Sequence, residues 1–365
     1  MQKKIIFLVP NLFYGGASKV ITLICNNLCN RRFKILLVAV NGENNFYTRD
    51  IAQLNFIDLK KKQVKVAAWA IYRLIKREKP DIVFSNGQDL NILNTFFKKF
   101  CFVNKYQLVC RETSVLSGNN NNTKLGNLYN WLVKKLYNNA NAIICQSAQM
   151  KNDLCRNFEI QSKILQVIPN PVEVLNAVEA EHFNTNAELK LLLIGRLVPE
   201  KGFLRILKAR KYLPGNWQLV ILGDGPQLNE LNKATEKFGI TQKIIFAGLV
   251  KNTAQYISGC NFVLSGSYNE GFPNIVLEAG AQGKPVIAFK APGVGEEVIE
   301  DGVTGILVNE DDEKIFANAI ITAQSINFNP LKIKEKIISR YGISIVIEQY
   351  EQLFELLTNN NETPK

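Results

Sequence analysis

Residues 189–213 read LKLLLIGRLVPEKGFLRILKARKYL, and their pattern predicts a strand, a loop and a helix in succession. The first six residues, Leu189–Ile194, are apolar except for Lys190, as expected for a strand. A loop from Gly195 to Gly202 follows, and we assign a helix to Gly202–Leu213. A strand that leads through a glycine-containing loop into a helix is one unit of a parallel α/β sheet.

The same alternation of strands and helices recurs along both halves of the chain. Further strands are predicted at Ile5–Val9, Ile35–Val40, Asp81–Ser85, Gln107–Cys110, Ala142–Cys145, Ile164–Ile168, Gln218–Leu222, Lys243–Phe246, Phe262–Leu264 and Pro285–Phe289. Further helices are predicted at Ser18–Leu28, Val64–Lys76, Leu125–Leu136, Gln227–Phe238 and Pro273–Gln282. Apolar strands separated by helices predict two doubly wound α/β domains in tandem.

The boundary between the two domains is marked by a change of composition. Pro169-Asn170-Pro171 ends the first series, and a polar, acidic segment runs from there to Glu188. We therefore predict an N-terminal domain at 1–170, a linker at 171–188 and a C-terminal domain at 189–343. The only histidine, His182, falls in this linker, which is a poor platform for a histidine-based mechanism.

The charge of the protein is unevenly distributed. The 365 residues carry a net charge of +12. Residues 1–170 hold 25 basic and 9 acidic side chains, a net +16, while residues 171–365 hold 19 basic and 23 acidic, a net −4. Such asymmetry favours an acidic partner for the first domain, and nucleic acid, an anionic membrane and a phosphorylated substrate all fit.

The cysteines and the N-terminus indicate a cytoplasmic protein. Seven cysteines without a C-x-x-C pair predict reduced thiols, and Cys25 and Cys29 lack further nearby ligands for a metal. The apolar run IIFLVP after Lys4 has six residues, too few for a signal peptide, and predicts a buried first strand. No stretch approaches the roughly 18 apolar residues that span a bilayer.

Two glycine-containing corners lie where such sheets bind ligands. Gly15 and Gly16 follow the first strand and leave room at the start of a helix, although an ordinary tight turn would have the same composition. In the second corner, Arg196 and Lys201 flank one loop after the strand Leu189–Ile194. A guanidinium and an ammonium beside backbone amides suit a pyrophosphate, and the alternative is a solvated loop with two surface cations.

The third corner contains two glutamates eight residues apart. Glu270 precedes a predicted helix that starts at Pro273, and Glu278 lies inside it. Two carboxylates at this spacing can accept hydrogen bonds from hydroxyls at both ends of a sugar nucleotide. The same spacing often marks only a solvated face, but the apolar neighbours of Glu278 make an unpaired carboxylate costly and favour a functional role.

Taken together, these motifs resemble the retaining family-4 glycosyltransferases. NEGFPNIVLEAGAQGKPVIA (269–288) contains the E-x7-E signature, with GRLVPEKG (195–202) upstream and APGVGEEVIEDGVTGILV (291–308) downstream. GGASKVI (15–21), CQSAQMKNDL (145–154) and VIPNPV (167–172) extend the resemblance over nearly the whole chain. It implies a GT-B fold with two Rossmann-like domains, the acceptor bound mainly by the first and the nucleotide sugar by the second. The last helix, at about residues 344–358, would return to the first domain.

The resemblance also implies roles for individual residues. As catalytic residues, Arg196 and Lys201 would hold the donor diphosphate and Glu270 the sugar. Glu278 would bind the ribose. The remaining substrate-binding residues would be Gly15, Gly16, Asn170, Gly271, Phe272, Pro273 and Asn274. No metal or other cofactor is expected, since the two cations replace a divalent ion and the chain has no D-x-D motif. The segment 293–296 would help to read the hydroxyls of the sugar.

The chain departs from the family at one place. Many relatives carry a histidine after a central strand of the first domain, where this chain has Cys110-Arg111-Glu112-Thr113. We expect Glu112, as a catalytic residue, or Arg111, as a binding residue, to face the reacting sugar. The alternative is a structural pair at the end of a strand.

The expected activity is transfer of a hexose or N-acetylhexosamine from a nucleoside diphosphate sugar, with UDP as the nucleotide, to a glycan acceptor. The segments 60–69 and 95–102 mix lysines with aromatic residues, which suits the surface of an anionic bilayer. A lipid-pyrophosphate-linked acceptor and a peripheral location on the inner face of the cytoplasmic membrane are therefore expected. The alternatives are two solvated helices at these segments, a UDP-sugar epimerase or hydrolase on the same fold, and a nucleic-acid-binding protein, although no nucleic-acid-binding motif is present.

Overall fold

A computed structural model describes residues 2–29, 32–43, 47, 51, 54–101, 106–117, 123–175, 183, 188–295 and 297–359. The chain divides into two compact units, one formed by Met1–Pro171 with Ser344–Lys365 and the other by Val172–Ile343. Most of the predicted linker, including His182, lies outside the described residues. Among the residues that are described, no helix has both the length and the apolar character needed to cross a membrane.

The first unit is built on a parallel sheet of seven strands. They are β1 (Lys3–Asn11), β2 (Phe33–Asn41), β3 (Asn55–Asp58), β4 (Ile82–Asn86), β5 (Gln107–Arg111), β6 (Ala142–Cys145) and β7 (Leu165–Val167). Their spatial order is β3-β2-β1-β4-β5-β6-β7. The helices between them are α1 (Gly16–Cys29), α2 (Val64–Glu78), α3 (Gln88–Phe100), α4 (Lys124–Leu136) and α5 (Ala148–Phe158).

The second unit repeats this architecture with six parallel strands. They are β8 (Leu189–Ile194), β9 (Trp217–Leu222), β10 (Ile244–Gly248), β11 (Phe262–Ser265), β12 (Val286–Phe289) and β13 (Gly305–Val308), in the order β10-β9-β8-β11-β12-β13. The helices are α6 (Phe203–Ala209), α7 (Leu228–Lys237), α8 (Ala254–Gly259), α9 (Asn274–Ala281), α10 (Glu313–Ala323) and α11 (Pro330–Tyr341). The sequence-predicted helix Gly202–Leu213 corresponds to α6 followed by a 3-10 turn at Arg210–Tyr212.

Helices cover the second sheet on both faces. Successive side chains of each strand point in opposite directions, so each strand contributes to both cores. On β8, Leu191 and Leu193 face a core shared with α6, α7 and α10, whereas Leu192 faces a core shared with α8, α9 and α11. Burial on both faces explains why the strands are apolar along their length rather than alternating.

The last helix, α12 (Ile343–Asn359), packs on the first unit. Phe354 is fully buried, and its ring lies 6.3 Å from that of Phe7 on β1, 5.7 Å from Phe33 on β2 and 6.2 Å from Phe84 on β4. The predicted return of the last helix and the predicted pair of doubly wound α/β domains are confirmed.

Each sheet has a topological switch point, where the chain leaves two neighbouring strands toward opposite edges. In the first sheet it lies between β1 and β4, and in the second between β8 and β11. In open α/β sheets, ligands bind beside the carboxyl ends of the strands at this point. The loops that follow these four strands are therefore the first places to look for a site.

Candidate active site

The loops that follow β8 and β11 pack against each other at the second switch point. The backbone N–H of Tyr268 donates a hydrogen bond to the carbonyl of Glu200 at 2.8 Å. Gly202 has a φ of +63°, and a Cβ at this residue would lie 1.8 Å from the carbonyl oxygen of Gly266. Only glycine permits this backbone approach, so the two loops carrying the predicted site residues are held together.

Lys201 and Glu270 form the centre of this cluster. The Nζ of Lys201 lies 2.5 Å from Oε1 of Glu270, and the hydroxyl of Ser267 donates to the same oxygen at 2.6 Å. The Lys201 side chain is 31% exposed and that of Glu270 is 11% exposed. The ammonium carries three N–H donors, and Glu270 takes one of them. Lys201 is therefore partly exposed and keeps N–H donors that an anion can use.

Arg196 lies on the same loop as Lys201 and is exposed. The adjacent Leu197 is fully buried, and its N–H donates to the carbonyl of Asp224 at 2.9 Å, which anchors this part of the loop. Within the described part of the chain, the guanidinium of Arg196 has no ion-pair partner. A buried anchor beside an exposed cation is a suitable arrangement for binding a diphosphate.

Glu278 lies inside α9 and is half-buried. The hydroxyl of Thr253 donates to its Oε2 at 2.9 Å, which fixes the carboxylate. The sequence analysis placed Pro273 in the first turn of the helix, but the helix begins at Asn274 and Pro273 is the residue before it.

The segment between Glu270 and α9 turns its side chains inward. Phe272 is 6% exposed and its ring lies 5.8 Å from that of Tyr341, while Gly271 and Pro273 are also buried. The expected contribution of residues 271–274 through their backbone, rather than through side chains, is compatible with this placement.

The loop after β12 joins the same cluster. The N–H of Glu270 donates to the carbonyl of Pro292 at 2.8 Å. A Cβ at Gly293, whose φ is +78°, would lie 2.0 Å from the carbonyl oxygen of Glu270. Gly293 therefore lies beside Glu270, the role of the segment 293–296 in reading the sugar stays a prediction, and Glu296 falls outside the described residues.

In the first unit, Gly15 and Gly16 lie at the switch point after β1. The carbonyl of Gly15 accepts hydrogen bonds from the Tyr47 hydroxyl and the Lys19 N–H, both at 3.1 Å. A Cβ added to Gly15 would have no atom of the described chain within 4 Å. As far as the described residues show, space is therefore open at Gly15, and Gly16 begins α1.

Arg111 and Asn170 are brought together at the end of β5. The two terminal nitrogens of Arg111 donate to Oδ1 of Asn86 at 2.8 Å and to Oδ1 of Asn170 at 2.6 Å. Arg111 is fully buried and Asn170 is 2% exposed. This arginine therefore joins the ends of β4 and β5 to the segment that leads out of the first unit.

Glu112 is also enclosed. It is 1% exposed, and its Oε1 accepts hydrogen bonds from the Tyr137 hydroxyl at 2.6 Å and from Nδ2 of Asn91 at 2.7 Å. Burial raises the pKa of Glu112 to about 7, although these two hydrogen bonds and the charge of Arg111 oppose the increase. This placement favours the structural alternative for Glu112 over direct contact with a sugar.

The pKa of Glu112 predicts a pH-dependent stability. Its pKa is higher in the folded protein than its ordinary value of 4.5, so the proton stabilises the folded state below pH 4.5. That stabilisation is lost as the pH rises through about 7. Glu112→Gln, whose amide oxygen can accept the same two hydrogen bonds, should abolish this contribution, which is on the order of 3 kcal/mol.

Urea unfolding of the wild type and Glu112→Gln at pH 5 and pH 8 measures this effect. The wild type should lose more free energy of unfolding between the two pH values than the variant does. Equal losses in both proteins would show that Glu112 does not titrate in this range.

Sequence reasoning missed the residues that hold the predicted ones in place. Ser267 and Thr253 fix Glu270 and Glu278, and Asn91 and Tyr137 fix Glu112. The only signal for Ser267 is its position three residues before Glu270 on the same loop. In the described part of the chain, no three His, Cys, Asp or Glu side chains come together in a way that could hold a metal ion.

Two family models match the chain, one for each unit. The model described as "Glycosyltransferase Family 4" matches residues 14–174. The model described as "Glycosyl transferases group 1" matches residues 177–340. The second match includes Arg196, Lys201, Glu270 and Glu278.

Relatives and solved structures span most of the chain. The Campylobacter jejuni "N-acetylgalactosamine-N,N'-diacetylbacillosaminyl-diphospho-undecaprenol 4-alpha-N-acetylgalactosaminyltransferase" is 27% identical over 86% of this chain and 87% of its own length. The Escherichia coli "UDP-Gal:alpha-D-GlcNAc-diphosphoundecaprenol alpha-1,3-galactosyltransferase" is 23% identical over 78% of each chain. The crystal structure of Anabaena HepE in complex with UDP-glucose has a TM-score of 0.82 at 20% identity, covering 97% of this chain and 99% of that one.

Proposed function

This chain is a family-4 glycosyltransferase with the GT-B fold, and we propose that it transfers a hexose or N-acetylhexosamine from UDP to a lipid-linked glycan. The transfer retains the configuration of the sugar. The observation that carries the proposal is the cluster of Lys201, Glu270 and Ser267 at the switch point of the second unit, with Arg196 exposed on the same loop.

Arg196 and Lys201 bind the diphosphate of the donor and stabilise the charge that develops on it as it leaves. The bond between the anomeric carbon and the diphosphate oxygen breaks while the acceptor oxygen bonds to the same face of the sugar. The departing phosphate oxygen takes the proton of the acceptor hydroxyl. Two fixed cations supply the charge stabilisation that a metal ion would otherwise give, and we propose that the enzyme works without a metal.

The two glutamates bind hydroxyl groups at the two ends of the donor. Glu270, with the backbone of residues 271–274, accepts hydrogen bonds from the transferred sugar, and Glu278 accepts them from the ribose. Gly15 leaves space for the substrate in the first unit, next to Gly16 at the start of α1. Arg111, Asn170 and Glu112 support that unit from within, since all three are buried and hydrogen-bonded.

The lipid-linked acceptor is inferred from relatives and from charge. The names of the Campylobacter jejuni and Escherichia coli relatives describe acceptors that are sugars on diphospho-undecaprenol. In this chain, the net charge of +16 on residues 1–170 suits a surface that carries anionic lipids. We propose that the enzyme works on the inner face of the cytoplasmic membrane in surface-polysaccharide or glycoprotein-glycan assembly.

Three adjacent helices supply a surface for this membrane. The helices α2, α3 and α4 pack side by side, and each exposes an aromatic ring: Trp69 is 62%, Phe100 51% and Trp131 55% exposed. Exposed cations lie on the same helices, namely Lys65, Arg73, Lys76, Lys99, Lys134 and Lys135. Exposed aromatic rings among cations suit the headgroup boundary of an anionic bilayer. The involvement of α4 extends the surface beyond the two segments predicted from sequence.

Release of UDP from a panel of UDP-sugars tests the proposal. We expect release to require a lipid-pyrophosphate-linked glycan, and the glycan product to retain the configuration of the donor. Equal release with and without acceptor would instead identify a hydrolase, and isomerised donor would identify an epimerase.

Sedimentation with vesicles of anionic phospholipid tests the proposed membrane surface on α2, α3 and α4, because binding should occur at low salt and weaken at high salt. Absence of binding at low salt would contradict the proposed membrane association.

A further inference from the structure

Arg205 lies on α6 behind the Lys201–Glu270 pair and is 6% exposed. Its Nε donates to the carbonyl of Gly266 at 2.6 Å, and its Nη2 donates to the carbonyl of Ser267, also at 2.6 Å. Its Nη1 lies 2.8 Å from Oδ1 of Asp311. All three guanidinium nitrogens are therefore engaged with the protein, and two of them hold the loop that carries Glu270.

Two aromatic rings hold the guanidinium. Its central carbon lies 3.9 Å from the ring centroid of Tyr268 and 3.9 Å from that of Phe289. Phe289 is itself buried and stacks on Phe316 at 4.3 Å, so it belongs to the core. A planar guanidinium donates hydrogen bonds from its edge while its two faces contact the rings, whereas a lysine ammonium has no flat face and cannot make both sets of contacts in this geometry. Arg205 thus connects the loop to the core through its shape as well as its charge.

The contacts of Arg205 continue directly to Glu270. Ser267, whose carbonyl Arg205 holds, donates its hydroxyl to Oε1 of Glu270 at 2.6 Å. The next residue, Tyr268, donates its N–H to Glu200 on the loop of Lys201. Without the guanidinium, the buried carbonyls of Gly266 and Ser267 would lose their hydrogen-bond donor, which favours rearrangement of the loop.

We propose that Arg205 is a positioning residue that holds residues 266–270 so that Glu270 stays within reach of the donor sugar. This inference rests on the proposed function only for the identity of the ligand at Glu270. UDP contains the ribose but lacks the transferred sugar that Glu270 binds, so the affinity for UDP should depend little on Arg205. Transfer should depend on it, because displacement of a substrate-binding group by about 1 Å can cost on the order of 10²-fold.

The test compares Arg205→Lys with the wild type and with the matched control Arg210→Lys. Arg210 also stacks on a ring, that of Phe238 at 3.7 Å, and donates to the carbonyl of Phe238. Its hydrogen bond and ring contact among the described residues are with Phe238 and not with the loop of Glu270. Hydrogen–deuterium exchange of the ligand-free proteins, calorimetric titration with UDP, and turnover of the UDP-sugar that supports transfer are measured for each.

In Arg205→Lys we expect exchange of the Tyr268 and Glu270 amides to rise about tenfold and kcat to fall about 10²-fold. The dissociation constant for UDP should stay within about threefold of the wild type. Arg210→Lys should match the wild type in all three measurements.

Unchanged exchange or unchanged kcat in Arg205→Lys would overturn the proposal. A parallel loss of UDP binding in this variant would also overturn it, because it indicates general destabilisation. A wild type that neither binds UDP nor transfers a sugar would contradict the proposed function instead, while the exchange experiment would still test the role of Arg205 in the loop.

Discussion

Lys201→Ala should reduce the rate of sugar transfer about 10³-fold while the protein remains folded, since loss of one preorganised charge-stabilising group costs up to about that much. The ammonium lies 2.5 Å from Glu270 and keeps donors for the diphosphate. Arg196→Ala should reduce transfer about 10²-fold, because this guanidinium is exposed and water screens it. Turnover under saturating donor and acceptor measures both effects.

Two control variants separate charge from packing. Lys201→Gln keeps an N–H donor for Glu270 but lacks the positive charge, so it should be impaired nearly as much as Lys201→Ala. Lys208→Ala removes an exposed lysine of α6 and should leave turnover unchanged. Circular dichroism confirms folding in each case. Turnover within about threefold of the wild type in Lys201→Ala would remove Lys201 from the proposed mechanism.

Glu278→Ala should lower kcat/KM for the UDP-sugar by about 10²-fold, because hydrogen bonds to a charged group contribute about 1.5–3 kcal/mol each. A more specific consequence concerns the ribose. The wild type should bind UDP more tightly than 2′-deoxy-UDP, and Glu278→Ala should bind the two equally. Calorimetric titration with both nucleotides measures this discrimination.

Thr253→Val is the matched control for Glu278. It removes the hydroxyl that donates to Oε2 at 2.9 Å but leaves the carboxylate in place. Discrimination between the two nucleotides should therefore be weakened in this variant and not abolished. If Glu278→Ala still prefers UDP over 2′-deoxy-UDP as strongly as the wild type, another group binds the ribose.

The parts of the site that are contiguous in sequence were predictable. Arg196 and Lys201 follow one strand, and Glu270 and Glu278 follow another, so local patterns placed each pair at the carboxyl end of a sheet. The side chains that hold them were not predictable, because their partners are distant in sequence. Glu112 meets Asn91 and Tyr137 from 21 and 25 residues away, and Arg205 meets Gly266 from 61 residues away.

The strands that were missed are short and lie at sheet edges. The strand β3 has four partly exposed residues and includes Asn55 and Asp58, so it lacks an apolar run. The strand β13 also has four residues and begins at Gly305, where a Cβ would lie 1.9 Å from the carbonyl oxygen of Val286. Both strands depend on hydrogen bonds to a neighbouring strand. Such pairing is not visible in the local sequence.

The return of α12 to the first unit has a consequence for the order of folding during synthesis. Residues 1–171 leave the ribosome first, but part of one face of their sheet stays uncovered until Val346, Ile347, Tyr350 and Phe354 are added near the end of the chain. Burial of each such large apolar side chain contributes about 1.5–3 kcal/mol. The unit that is translated first therefore completes its core last, after the whole second unit has been made.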